Sequence, residues 1–497
     1  MPERTNQTDV PAAAPARPNQ STPAPDPEST HLSRQLSNRH IQLIALGGAI
    51  GTGLFMGSGK TISLAGPSVI FVYMIIGFML FFVMRAMGEI LLSNLKYKSF
   101  SDFAADLLGP WAGFFTGWTY WFCWIVTGIA DVIAISGYVS YWWPGLPLWI
   151  PALVAVVALI VSNLPTVKAF GETEFWFALI KIIAIVGLII VGLVMIFTHI
   201  TAPDGSAASF TNLWNDGGFF PTGPMGFVAG FQIATFAFVG IELVGTTAAE
   251  AKAPENNLPR AINSIPVRVM LFYVVALIVI ISVTPWRTII ADKSPFVTMF
   301  TLAGLGIAAS VINFVVLTSA ASSANSGIYS TSRMVYGLAR EGDAPQRFGK
   351  LTSRRVPANA LYLSGVFLLS GVVIVAFGDS IIEAFTLVTT ISALLFMFVW
   401  SIILVSYLVF RRCRPQLHEA SNFKMPGGVV MCYMVLAFFV FLLWALTQKA
   451  DTLHALVVTP VWFVVLGAAW ALLRRRPGHR ARESAFQADL EEAKKMN

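Results

Sequence analysis

Charged side chains are scarce in this sequence. They make up 12% of the 497 residues, whereas hydrophobic residues make up 56%. A soluble domain carries about 25% charged residues, so a chain of this length could not cover its surface with polar groups in water. The composition excludes an ordinary soluble protein and predicts an integral membrane protein that uses lipid as its solvent.

Cysteines and clusters of reactive groups are also scarce. The three cysteines, Cys123, Cys413 and Cys432, match neither a disulfide framework nor a metal site. The sequence has no P-loop, no clustered nucleophile or acid–base constellation and no ring of charges or repeated filter loop. We therefore expect no cofactor, no metal and no enzymatic activity, and we disfavour an ATP-driven pump and a channel. The net charge of +7 is spread between apolar runs, so we expect no nucleic-acid partner.

The N-terminal segment has no apolar core. Residues 1–36 are rich in Pro, Ala, Ser and Thr and carry no signal-peptide pattern. We expect a disordered cytoplasmic tail there, a transporter domain over 37–476 and a second cytoplasmic tail over 477–497.

Long apolar runs dominate the remainder of the chain. A bilayer core about 30 Å thick is crossed by a helix of about 20 mostly apolar residues. Twelve runs approach or exceed this length: 40–59, 67–92, 112–140, 147–164, 173–197, 225–248, 265–284, 298–328, 359–377, 384–410, 428–446 and 454–473. The sequence thus predicts an all-α membrane protein with 12 transmembrane helices, the eighth continuing as helix towards Arg333.

Positive charge alternates from one connection to the next. With the N-terminus inside, the outside connections hold only Lys60, Arg287, Lys293 and Lys449. The inside connections and the C-terminal flank hold the remaining basic residues of the connections: Lys96, Lys98, Lys168, Lys252, Arg260, Arg340, Arg347, Lys350, Arg354, Arg355, Arg411, Arg412, Arg414, Lys424, Arg474, Arg475 and Arg476. Because basic residues are retained on the cytoplasmic side, we expect both termini in the cytoplasm and a multi-pass protein of the inner membrane.

The first span is rich in glycine. Gly47, Gly48, Gly51 and Gly53 lie within seven residues, and each weakens a helix by up to about 1 kcal/mol relative to alanine. We predict unwinding near Gly51-Thr52-Gly53, where free N–H groups would attract a carboxylate. Close helix packing through small residues is the alternative.

The sixth span is interrupted in a similar way. Gly240 and Gly245 break the apolar run, and Glu242 lies between them. An ionisable residue inside a span predicts function, so Glu242 is expected to carry a proton or to stabilise a broken helix. A hydrogen-bonded structural role is the alternative.

The positions of these two spans, first and sixth, match a five-plus-five inverted repeat. Five crossings separate them, an odd number that reverses orientation between the repeats. We predict repeats over about 40–197 and 225–410, with helices 1 and 6 unwound, and two additional C-terminal helices over 428–473.

Other polar groups lie within the predicted spans. Lys181 in the fifth span is expected either to snorkel towards the cytoplasm or to act as a titratable cation beside the first span. Asp131 in the third span either bonds a neighbouring helix or lines the pathway. Ser322 and Ser323 of the eighth span would solvate Lys181, unless this small-residue stretch serves packing alone.

Arg85 and Glu89 are four residues apart in the second span. This spacing places the two side chains on one helix face. We predict an intrahelical ion pair between them.

Several motifs resemble the amino acid permease family of the amino acid–polyamine–organocation superfamily. The resemblance covers about residues 34–475, and these segments carry it: Leu36–Phe55, Phe175–Ala178 leading to Lys181, Phe238–Glu242, Pro259–Ile262 and Ser332–Met334. Three further stretches, Thr61–Pro67, Gly117–Trp124 and Ala320–Gly327, resemble members that transport glycine and the D-enantiomers of alanine and serine.

This resemblance implies symport of a small zwitterionic amino acid with a proton. Its implied substrate-binding residues are Ile50, Gly51, Thr52, Gly53, Phe236, Ala237, Phe238 and Gly240. Within that set the glycine run of the first span would hold the carboxylate, carbonyls of the sixth span would receive the ammonium group, and Phe238 would be an aromatic gate. Lys181 and Glu242 match positions tied to proton coupling, supported by Ser322, Ser323 and Asp131. An exchanger or a different neutral amino acid specificity is the alternative.

Overall fold

The computed structural model describes residues 50–496 except 98, 166, 202–204, 248–253, 303 and 379. Over these residues the chain is helical, with short 3₁₀ segments and no named β-strand. The predicted all-α class is confirmed. The expected N-terminal tail and the part of the Leu36–Phe55 motif before residue 50, which includes Gly47 and Gly48, lie outside the described residues.

The helices follow the apolar runs. The first half of the chain contains α1 Thr52–Phe55, α2 Gly57–Ala65, α3 Val69–Ser93, α4 Phe100–Leu108, α5 Pro110–Val139, α6 Trp149–Asn163, α7 Val167–Phe197, α8 Gly223–Ala234, α9 Leu243–Thr247 and α10 Pro254–Asn263. The second half contains α11 Ile265–Arg268, a π-helical segment Val269–Val275, α12 Ala276–Val283, α13 Pro295–Leu302, α14 Gly306–Glu341, α15 Ala358–Phe377, α16 Ile381–Cys413, α17 Pro415–Ala420, α18 Gly428–Leu446, α19 Ala450–Leu473 and α20 Pro477–Met496.

Ten helices in the described part of the chain are long and apolar enough to cross a membrane, and α6 is a shorter apolar helix. The count of twelve stays a prediction because half of the first apolar run, 40–49, lies outside these residues. Its described end differs from expectation: α2 continues to Ala65. Lys60 therefore lies inside a helix and not in a connection, and it pairs there with Asp451 at 2.6 Å. Its expected location on the outside stays a prediction.

The predicted eighth span, 298–328, was wrong at its beginning. The chain forms the separate helix α13, turns at Gly304 with φ +74°, and then starts α14 at Gly306. The positive φ is accessible to glycine at little strain, so the glycine breaks an apolar run that looks continuous in sequence. The predicted continuation of this helix past Arg333 is confirmed, since α14 reaches Glu341.

Helix α5 lies at the centre of the bundle. It packs against α14, α16, α4 and α15, and 83% of its most apolar 18-residue stretch is buried. Glycines on this helix face large side chains of its neighbours, such as Gly117 against Leu338. The most apolar 18-residue stretch of α19 is only 11% buried, which places α19 at the periphery, where lipid would cover it.

Candidate functional site

The backbone is not helical at Gly51, whereas Thr52 and Gly53 belong to the short helix α1. Unwinding of the first span stays a prediction, because the residues before 50 lie outside the described part of the chain. Gly51 is extended, with φ −130° and ψ −163°, and α1 begins immediately after it. The first N–H groups of any helix lack an intrahelical acceptor. Because α1 has only four residues before Met56 separates it from α2, attraction of an anion here depends on individual N–H groups more than on a helix dipole.

A second interruption follows α8. A 3₁₀ turn, Thr235–Phe238, leads into Val239 at ψ 136° and Gly240 at φ +97°, and α9 starts at Leu243. Residues other than glycine rarely adopt a φ in that range. Glycine at 240 is therefore required by the turn.

The segment around Gly51 and the segment 235–240 touch through their backbones; we name them the interrupted segments because the sequence predicts a break in both spans. A Cβ atom on Gly53 would lie 2.5 Å from the Cα atom of Ala237 and 2.9 Å from the carbonyl carbon of Phe236. A Cβ atom on Gly51 would lie 3.3 Å from the Oγ atom of Ser323. The close-packing alternative thus applies to Gly53, because the backbone of the second segment fills the space beside it.

The carbonyl groups expected to receive an ammonium group already have donors. The Tyr273 hydroxyl donates to the Ala237 carbonyl at 2.9 Å, and the Val239 N–H donates to the Phe236 carbonyl at 3.1 Å. A carbonyl oxygen has two lone pairs, so each can accept one further hydrogen bond. Tyr273 was not predicted from the sequence; its signal is a tyrosine within an otherwise apolar run.

Phe238 is buried among aromatic rings. It stacks on Tyr273, with ring centroids 5.1 Å apart, and packs at 5.8 Å against Tyr73. The Phe236 ring instead meets Phe385 of α16 edge-on at 6.1 Å. The gating role expected for Phe238 stays a prediction.

Glu242 is fully buried beside the second interruption. Its Oε2 atom accepts a hydrogen bond from the N–H of Gly240 at 3.2 Å, which stabilises the turn. Tyr120 of α5 and Trp400 of α16 lie against the same carboxyl group. The carboxyl therefore lies between the broken segment and two long helices.

Lys181 is also fully buried, so the snorkelling alternative was wrong. Its ammonium group interacts electrostatically with Glu174 on its own helix and with Asp131 on α5. A charge buried at membrane depth requires such compensation. Glu174, near the beginning of α7, is 2% exposed and belongs to this cluster.

Asp131 links this cluster to the first interruption. Its Oδ1 atom accepts a hydrogen bond from the Thr52 hydroxyl at 2.7 Å, and Ser323 lies against the same carboxylate. Of the two roles considered for Asp131, the bond to a neighbouring helix is present.

The serines of α14 contact the acidic partners of Lys181. Ser322 donates to Glu174 Oε2 at 2.8 Å, and Ser323 lies beside Asp131. One turn earlier, Ser319 donates to the carbonyl of Ile50 at 3.1 Å. Helix α14 thereby supports both the first interruption and the charged cluster.

The predicted Arg85–Glu89 pair was wrong. Arg85 donates to Asn263 Oδ1 at 2.7 Å and to the Lys424 carbonyl. Glu89, fully buried, pairs with His418 at 2.5 Å and accepts further bonds from the Tyr407 hydroxyl and the Met425 N–H. Both side chains hold the connection between α16 and α18, which local spacing could not reveal.

Comparison with known proteins places this geometry in context. A family model described as "Amino acid permease" matches residues 40–480. The chain is 67% identical to the "D-serine/D-alanine/glycine transporter" of Escherichia coli K12 over 90% of this chain and 96% of that relative. It is 52% identical to the "Amino-acid permease AapA" of Bacillus subtilis, over 91% and 97% of the two chains. It is 40% identical to the "DL-alanine permease SerP2" of Lactococcus lactis, over 87% and 94%. The resemblance predicted from the motifs is confirmed.

Proposed function

This chain belongs to the amino acid permease family, and on that premise we propose that it imports glycine, D-alanine and D-serine across the inner membrane in symport with protons. The relative that is 67% identical over nearly its whole length carries those three substrates in its name. Both termini would lie in the cytoplasm, as the charge asymmetry predicts.

The observation that carries the proposal is the contact between the two interrupted segments. Their backbones meet at Gly53 and Ala237. Peptide groups freed from helical bonding can bind the two ends of a zwitterion where broken helices meet. The inverted repeats over 40–197 and 225–410, with additional helices over 428–473, are part of the same proposal.

The substrate carboxylate would bind the N–H groups of Gly51, Thr52 and Gly53, next to the Ile50 carbonyl. The substrate's ammonium group would donate to the carbonyls of Phe236 and Ala237, each of which already accepts one hydrogen bond. The close approach of the segments leaves little room for a large side chain, which favours small amino acids.

Proton coupling would involve two buried charged sites on either side of this contact. Glu242 holds the turn of the second segment through Gly240. Lys181 reaches the first segment through Asp131 and Thr52. A change of protonation at either site would change the contacts of the segment beside it, which connects proton binding to alternating access.

Uptake into proteoliposomes tests this function. With an acidic exterior, labelled glycine should accumulate above its external concentration, and a protonophore should abolish the accumulation. Accumulation that survives the protonophore but requires a second amino acid inside would identify an exchanger. Uptake that only equilibrates would identify a facilitator.

Competition against labelled glycine tests the specificity. Both enantiomers of alanine and serine should be compared in the same vesicles, since stereochemical preference follows here from the relatives alone. D-alanine and D-serine should compete with glycine. Competition confined to larger neutral amino acids would contradict the proposed spectrum.

A further inference from the structure

Glu174 is a buried carboxylate to which the proposed transport cycle assigns no role. It lies on α7 seven residues before Lys181, a separation of two helical turns or about 10.5 Å along the axis, on the same face. We propose that Glu174 is a positioning residue for proton coupling: it acts through Lys181, and its negative charge makes the Glu174–Lys181–Asp131 cluster bind a proton. This inference rests on the proposed function.

The carboxylate of Glu174 is held from both sides. Ser322 donates to Oε2 at 2.8 Å and Asn325 donates to Oε1 at 2.7 Å. The Asn325 amide is fixed in turn, since its Oδ1 atom accepts from Ser162 at 2.8 Å and from Asn163 at 2.7 Å. Two neighbouring helices, α14 directly and α6 through Asn325, thus hold this carboxylate of α7 in place.

The groups that face this cluster are few among the described residues. Lys181 and Glu174 belong to α7, and Asp131 and Tyr138 belong to α5. Helix α14 contributes the neutral side chains of Ser322, Asn325 and Ser326, and α6 contributes neutral groups through Asn325. The cluster therefore contains one cation and two carboxylates.

Charge balance gives the cluster its function. With all three groups ionised its net charge is −1, and one bound proton makes it neutral. A net charge is unfavourable at membrane depth, so the occluded cluster favours the protonated form, and contact with water permits release. Without the Glu174 charge, Lys181 and Asp131 balance each other and no proton is needed.

The Glu174→Gln variant of the full chain tests this directly. Glycine counterflow, measured without a pH gradient and with protonophore, needs no net proton movement and should persist. Accumulation under a proton gradient should be lost, so that internal and external glycine equalise, and substrate-driven proton uptake should disappear. Glu174→Asp, which keeps the carboxylate, should retain coupling. The control Glu419→Gln removes an exposed acidic charge and should behave as wild type in both assays.

A second variant keeps the proposal testable if Glu174→Gln fails to insert. Ser322→Ala removes one donor from the carboxylate and strengthens its proton affinity, so the pH profile of accumulation should move to higher pH. Unchanged accumulation in Glu174→Gln, equal loss of counterflow and accumulation, or an unmoved pH profile in Ser322→Ala would each overturn the inference. If wild type itself moves no protons with glycine, the proposed symport fails and this inference fails with it; failure in the variants alone leaves symport intact.

Discussion

The Cα atom of Ala237 lies 2.5 Å from the position that a Cβ atom on Gly53 would occupy. This distance is shorter than any normal contact between carbon atoms. The contact between two segments that are more than 180 residues apart in sequence thus requires a residue without a side chain at position 53. Their contact joins the two predicted repeats at the proposed substrate site.

Gly53→Ala should therefore abolish transport. The added methyl group forces the 236–237 backbone away, because main-chain atoms cannot move aside as a flexible side chain can. Glycine uptake and membrane insertion should be measured together, with uptake lost and insertion retained. Gly187→Ala on α7 is the matched control, since a Cβ atom there has no neighbour within 4 Å. Wild-type uptake by Gly53→Ala would show that the segments do not need this contact.

Gly240→Ala should impair both stability and uptake. Its φ of +97° would strain an alanine by roughly 1–3 kcal/mol. Relief of that strain would displace the backbone N–H of residue 240, which donates a hydrogen bond to Glu242. Thermal unfolding in detergent and glycine uptake are the measurements. Gly240→Asn should be milder, since asparagine tolerates positive φ better. Gly467→Ala on peripheral α19, where no atom lies within 4 Å of the added Cβ, should leave both properties unchanged.

Tyr273→Phe should weaken substrate binding. The hydroxyl fixes the Ala237 carbonyl at 2.9 Å, and loss of a buried hydrogen bond costs about 1–3 kcal/mol. We expect a higher KM for glycine uptake with a smaller change in maximal rate. The exposed Tyr362 supplies the control Tyr362→Phe. An unaltered KM would show that the Ala237 carbonyl does not take part in substrate binding.

Glu89→Ala should destabilise the protein. The substitution removes a buried carboxylate that bonds His418, Tyr407 and the Met425 N–H, and breaking a buried pair costs about 3–5 kcal/mol. Thermal unfolding in detergent should show a clear drop in melting temperature. Glu419→Ala, beside His418 but exposed, should melt like wild type; equal stability of the two variants would contradict the role assigned to Glu89.

The fold could be predicted where one local property decides it. Apolar length is such a property, so each of the predicted runs contains helix, and the glycines at 51 and 240 indicated where the backbone is not helical. Local patterns failed where a distant group decides the outcome. Arg85 bonds Asn263 instead of Glu89 because the chain brings α10 beside α3, and spacing within a span contains no information about that.

The candidate site was predictable only in part for the same reason. Lys181 and Asp131 stood out as charges inside apolar runs. Glu174 lies near a predicted helix end and was not singled out from the sequence, because its partners Ser322 and Asn325 are about 150 residues away in sequence. Tyr273 gave only a weak signal, since tyrosines are common near membrane interfaces.

Competition of labelled glycine uptake by glycinamide tests the central claim most directly. Glycinamide keeps the amino group and the size of glycine but lacks the carboxylate that the N–H groups of Gly51, Thr52 and Gly53 are proposed to bind. Unlabelled glycine should inhibit uptake and glycinamide should not. Equal inhibition by the two compounds would contradict a carboxylate site at the contact between the interrupted segments.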